Sequence, residues 1–157
     1  MEMKSSNNSA VRVAVVGVGY WGKNLVRNFH ELGALEALCD AADGAEAANK
    51  LRYNGVRFES EYTKLLNDPQ ITAIALATPA VTHYEMAKAA LLAGKDVLVE
   101  KPLAIDVKHG EELIKVDPKI IAGAKANSKK VTRSAGGALA WPGLLRKLDR
   151  LDPSYRS

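Results

Sequence analysis

Short apolar runs alternate with stretches in which apolar residues recur every three or four positions, and the alternation stays regular from Val11 to about Val116. The runs at residues 11–16, 35–39, 56–58, 71–77 and 97–100 predict strands. The helical periods at 21–32, 42–50, 61–66, 82–93 and 106–116 predict the helices between and after them. Punctuation agrees with these limits: Gly33 and Gly94 stand just past helices, where a left-handed cap suits glycine. Asp106 stands where a helix N-cap belongs, and Lys115 lies near the far end of the same helix. The stretches V-A-V-V and I-A-L-A are apolar at consecutive positions rather than at every second one, the pattern of strands covered on both faces. Strands that alternate with helices predict a parallel sheet, and right-handed crossovers make the doubly wound α/β (Rossmann) sheet its simplest topology.

Composition changes this picture little. A chain of 157 residues, 47% hydrophobic and 25% charged, is an ordinary globular chain with room for one cored domain. No apolar run approaches bilayer length, so no membrane partner is expected. Residues 1–10 are polar, lack the apolar segment of a secretory signal and read as a disordered lead-in. One cysteine, Cys39, excludes an internal disulfide and fits a reducing cytoplasm. Charge is more informative. The net +4 is uneven: residues 1–116 carry 13 basic and 15 acidic side chains, residues 117–157 nine and three. The basicity belongs to the tail, and no aromatic-studded basic face accompanies it, so no nucleic-acid partner is expected.

The first candidate chemistry lies where the first strand ends. Gly17, Gly19 and Gly22 form G-x-G-x-x-G between a buried-type strand and a helix. In that setting the first glycine makes the tight turn, the second lets backbone approach a pyrophosphate, and the third lets helix and strand pack closely. The phosphates would then face the helix N-terminus, whose N–H groups and dipole favour an anion. An acid is needed at the end of the second strand, roughly 20 residues on, and Asp40 closes L-E-A-L-C-D there. Its carboxylate accepts hydrogen bonds from ribose hydroxyls and repels a 2′-phosphate. Ala41 and Ala42 supply no cation, so NAD is favoured over NADP. Asp40 also suits a helix cap, and the two roles are compatible. Cys39 reads as a small core residue rather than a nucleophile. Ligands of open parallel sheets bind beyond the carboxyl ends of the strands, an edge that also receives Thr78, Pro79, Glu100, Lys101 and Pro102. A lysine between an apolar strand and a proline suggests a cation fixed near the nicotinamide ribose or the substrate.

Together, G-V-G-Y-W-G-K-N, L-A-T-P-A-x-x-H and A-G-K-D-V-L-V-E-K-P-L resemble the glucose–fructose oxidoreductase/inositol dehydrogenase (Gfo/Idh/MocA) family over about residues 11–116. The G-Y-W-G-K-N form resembles the branch acting on nucleotide sugars of the UDP-N-acetylglucosamine type. The resemblance implies an N-terminal NAD(P)-binding Rossmann domain and hydride transfer from a sugar or nucleotide-sugar hydroxyl to the nicotinamide. It makes Lys101 the residue that hydrogen-bonds the reacting hydroxyl and sets Glu100 against the nicotinamide ribose. It places Pro102 after a cis peptide, and Thr78, Pro79 and His83 along the cofactor. Tyr20 and Trp21, inside the glycine motif, join the expected cofactor contacts. His83 also reads simply as a polar residue in a helix's first turn; His30 and His109 read as surface residues. No metal site is expected.

The family's second α/β domain, with its G-G-G-x-x-x-D-x-x-x-H-like segment, has no counterpart among these residues. The expected organisation is a Rossmann domain over 11–122 and a basic, irregular tail over 123–157 with one short helix. The abrupt change near Val116 suggests a truncated or frameshifted reading frame; a stand-alone cofactor-binding or regulatory module, or a partner subunit of a full-length relative, is the other reading. Such a chain would bind NAD with little turnover. Apolar surface left uncovered would favour homo-oligomers.

Overall fold

A computed structural model describes residues 11–116 of the chain. Strands and helices alternate throughout: β1 (Val13–Val16), α1 (Gly22–Glu31), β2 (Leu35–Cys39), α2 (Ala45–Lys50), β3 (Arg57–Glu59), α3 (Tyr62–Asn67), β4 (Ala73–Leu76), α4 (Ala80–Leu92), β5 (Asp96–Val99) and α5 (Val107–Val116). The strands form one parallel sheet in the order β3-β2-β1-β4-β5, the doubly wound arrangement that the alternation predicts. The expected lead-in at 1–10 and the tail beyond 116 lie outside the described residues.

Strands β1 and β4 are buried at every position, which explains their unbroken apolar sequence. Side chains alternate between two cores. Val13 and Val15 meet Leu25, Val26 and Phe29 of α1 on one face. Ala14 and Val16 join Leu65 of α3, Tyr84 and Ala87 of α4 and Leu113 of α5 on the other. Charged pairs gather instead where the strands begin, as in Arg12 with Glu36 at 2.5 Å and Arg57 with Asp68 at 2.5 Å. The far edge, where the strands end, is thereby left to other chemistry.

Several limits moved for local reasons. Helix α2 begins at Ala45 rather than 42, because Gly44 before it has φ 79. Helix α4 begins at Ala80 rather than 82, with Pro79 as its N-cap. The ladder of β4 starts at Ala73, since the N–H of Ile71 turns back to the Asp68 carbonyl and the Thr72 hydroxyl accepts from the N–H of Arg12. Gly33 and Gly94 take left-handed φ values of 64 and 75 just past α1 and α4. The Asp106 side chain accepts from the N–H of Lys108, as an N-cap does.

Candidate functional site

All five strands run the same way, so their exits share one edge. The turn after β1 sits at its centre. Gly17 has φ 85, and a Cβ there would lie 2.7 Å from the Ala77 carbonyl carbon and oxygen. A Cβ on Gly22 would fall 1.7 Å from the Gly17 carbonyl oxygen, so the third glycine is required by the fold of the turn itself. At Gly19 an added Cβ meets nothing within 4 Å. The turn is thus packed tightly on two sides and open above its middle glycine.

The helix that follows is prepared for an anion. Its N-cap, Trp21, makes no side-chain capping bond, and no acidic residue lies in the first turn. The N–H groups that open α1 and the positive end of its dipole are therefore uncompensated by a carboxylate. Tyr20 and Trp21 are exposed at 77% and 66% and meet edge to face with centroids 5.8 Å apart. The Lys23 ammonium lies 4.8 Å above the Tyr20 ring and adds positive charge to the same turn.

On the β2 side, Asp40 binds the glycine turn directly. Its Oδ2 accepts from the N–H of Val18 at 2.8 Å, and its Oδ1 from the N–H of Ala42 at 2.8 Å. A carboxylate offers about four acceptor positions, so each oxygen keeps one for a ribose hydroxyl. The expected capping role is realised as this bond to the backbone two residues on. The second bond, to Val18, spans two elements and had no signal in the sequence. Cys39 beside it is buried, and burial, with the Asp40 and Glu59 carboxylates adding to it, pushes the thiol up to about 11. It stays protonated at neutral pH, as a core residue should.

On the β4 and β5 side the structure collects Thr78, Pro79, Glu100, Lys101 and Pro102. Thr78 and Pro79 join β4 to α4, where the Thr82 hydroxyl lies 2.7 Å from the Thr78 hydroxyl and 2.8 Å from the Pro79 carbonyl. Glu100 is half-buried, its N–H donating to the Leu76 carbonyl at 2.9 Å, while Lys101 and Pro102 are exposed. The peptide between Lys101 and Pro102 is cis. His83 lies in the first turn of α4. It is 1% exposed, with Nδ1 2.6 Å from the Pro102 carbonyl oxygen and Nε2 2.8 Å from that of Thr78, so both nitrogens face backbone carbonyls. His109 is half-buried, its ring stacked on Tyr84 at 3.9 Å between α4 and α5, and His30 is exposed. The partners of His83 and His109 come from 19 and 25 residues away, beyond the reach of local pattern. Among the described residues no cluster of histidine, cysteine and carboxylate is placed to hold a metal ion, and no helix is long and apolar enough to cross a membrane.

Residues 11–119 match the family described as "Oxidoreductase family, NAD-binding Rossmann fold", Gfo/Idh/MocA. The chain belongs to this family. The open space over Gly19, the uncapped start of α1 and the two remaining acceptor positions of Asp40 fit NAD, the cofactor named in the family's description. Curated relatives include an uncharacterized oxidoreductase, YdgJ, of Escherichia coli, 35% identical over 66% of this chain and 30% of the relative. Another is an inositol 2-dehydrogenase/D-chiro-inositol 3-dehydrogenase of Lactiplantibacillus plantarum, 32% identical over 69% of this chain and 32% of the relative. The chain therefore spans about a third of the length of these Gfo/Idh/MocA relatives. Among solved structures, the WlbA dehydrogenase of Bordetella pertussis, in complex with NADH and UDP-GlcNAcA, has a TM-score of 0.63 at 28% identity, covering 69% of this chain and 33% of that one. KijD10, a 3-ketoreductase of Actinomadura kijaniata in complex with NADP and TDP-benzene, also has a TM-score of 0.63 at 28% identity, covering 69% and 34%.

Proposed function

We propose that these residues serve an oxidoreductase that takes hydride from a sugar or nucleotide-sugar hydroxyl, with NAD preferred over NADP. The observation that carries the reading is the order of groups along one sheet edge. Asp40 follows β2, the glycine turn follows β1 in the centre, and Glu100 and Lys101 follow β5 on the other side. A dinucleotide with its pyrophosphate over Gly19 then lays its adenosine ribose on Asp40 and its nicotinamide toward β4 and β5. Bound there, NAD supplies the hydride acceptor. Lys101 is the exposed cation on that side, placed to hydrogen-bond a substrate hydroxyl and fix its direction. Glu100 and the Thr78–Pro79 turn border the nicotinamide ribose, and Tyr20 and Trp21 wall the cradle.

The NAD preference rests on Asp40, because a 2′-phosphate would meet its carboxylate with Ala41 and Ala42 beside it and no cation. A neighbour that binds NADP makes this a matter for measurement. The sugar class rests on relatives named for inositol and a neighbour bound to a UDP-sugar. Turnover by the described residues themselves should be low, since hydride removal needs an oriented substrate hydroxyl with a base in reach, and the chain spans only about a third of the length of these relatives.

Calorimetric titration with NAD and NADP, repeated on Asp40→Arg, tests the preference. NAD should bind more tightly to the parent, and the variant should lose or reverse that order. Equal affinities in the parent would remove Asp40 from the reading. NADH formation over a panel of UDP-sugars and polyols should stay near background, and strong turnover abolished by Lys101→Ala would overturn the low-turnover clause.

A further inference from the structure

We propose that His83 is a positioning residue: its imidazole ties the exit of β4 to the exit of β5 and so sets the spacing of the two turns that face the nicotinamide half of the dinucleotide. The ladder between these strands ends where the N–H of Glu100 donates to the Leu76 carbonyl at 2.9 Å. Beyond that bond the chains diverge, one into Thr78–Pro79 and helix α4, the other into Lys101–Pro102. His83 rises from the first turn of α4 between them, buried to 1% exposure. Its two nitrogens stand 2.8 Å from the Thr78 carbonyl oxygen and 2.6 Å from that of Pro102, the residue after Lys101. A rigid planar ring with a polar atom on each side fixes the distance between two carbonyls more closely than any flexible side chain does. The imidazole therefore acts on the cofactor edge only through the backbone it holds. A neutral ring donates to one of these carbonyls, and a ring carrying both hydrogens donates to both.

A purely structural histidine would predict something else: lost stability on substitution, with ligand affinities of the folded protein unchanged or lowered together. The positioning role, which rests on the orientation of the dinucleotide proposed above, predicts a selective loss. NADH touches both halves of the edge. ADP lacks both the nicotinamide and its ribose and uses the glycine turn and Asp40 alone.

The experiment titrates NADH and ADP by calorimetry into the full chain, His83→Leu, His83→Gln and Leu113→Ala. His83→Leu should weaken NADH binding about tenfold, the equivalent of one lost hydrogen bond of ordinary strength, while ADP affinity stays within about twofold of the parent. His83→Gln keeps a donor that reaches one carbonyl and should recover part of the loss. Leu113→Ala, on the buried face of α5, should lower the melting temperature without changing the ratio of the two affinities. A parent-like ratio in His83→Leu, or an equal fall for both ligands, would overturn the proposal. If the parent itself binds both ligands equally, the dinucleotide orientation is wrong, and the clamp is read from amide spectra of the ligand-free proteins. His83→Leu and His83→Gln must then shift the amides of residues 77–78 and of Lys101 and Leu103 together and spare those of 17–22; movement of only one turn, or of neither, overturns the clamp.

Discussion

Replacing Gly19 with alanine should separate the phosphate cradle from the fold that carries it. The added methyl meets no protein atom within 4 Å, and the residue's φ lies outside the left-handed region, so the backbone accepts it. Fewer unfolded conformations then leave the chain unchanged or more stable by about 0.4–1 kcal/mol. The same methyl occupies the space through which a pyrophosphate approaches the backbone. Losing one charge-assisted hydrogen bond there costs about 1.5–3 kcal/mol, so NADH affinity should fall roughly 10- to 150-fold. Gly22→Ala is the contrasting case. Its Cβ would sit 1.7 Å from the Gly17 carbonyl oxygen, where real contacts essentially never come under 3.0 Å, so the turn must open by more than an ångström. Overpacking of this kind costs about 1–3 kcal/mol or more, and stability and binding should fall together. Thermal unfolding by circular dichroism and calorimetric titration with NADH read both quantities. Gly19→Ala binding NADH like the parent would refute the placement of the pyrophosphate, and Gly19→Ala unfolding early would refute the open space.

Three further outcomes follow from named contacts. The buried Cys39 thiol is pushed up to about 11 from an ordinary 9.0. Between those pH values the folded chain keeps a proton that the unfolded chain releases, so stability falls as pH rises through the window, by on the order of 2–3 kcal/mol. Denaturant midpoints across the window should show that fall, and Cys39→Ala should reduce it; the Tyr62 hydroxyl, raised by burial from an ordinary 10.0, adds a fall of its own from about pH 10 upward, which Cys39→Ala leaves in place. Asp40→Ala removes the acceptor for the N–H groups of Val18 and Ala42 and should destabilise the chain by about 1–2 kcal/mol in urea unfolding, discounted because Ala42 is exposed. Leu113→Ala, at 1% exposure on the inner face of α5, should cost about 2–5 kcal/mol by the same measurement.

What the sequence made legible is what local chemistry decides. Strands β1 and β4 declared themselves by unbroken apolar runs, because both faces of each are covered. The glycine turn was readable because its motif lies within six residues, where Gly22 packs on Gly17 itself; the packing of Gly17 on Ala77, at the exit of β4, was not. Asp40 could be placed at the edge by spacing alone, yet its bond to Val18 could not, since 22 residues and a helix lie between them. The same limit hid the partners of His83 and His109. Each is an ordinary polar residue in its own helix, and its environment is made by a second element arriving from 19 or 25 residues away. Element limits shifted where one backbone choice outweighed the pattern, as Gly44 with its positive φ did at the start of α2.

The central claim is that NAD lies across the edge where the strands end, from Asp40 over Gly19 to Lys101. A titration of the isotope-labelled chain with NADH, followed by amide chemical shifts, tests it directly. The amides of residues 18–23, 40–42, 77–78 and 100–101 should move together along one saturating curve, while those of Arg12, Glu36, Arg57 and Asp68 at the opposite edge stay fixed. Saturable shifts confined to that opposite edge, or no saturable shifts at all, would contradict the account.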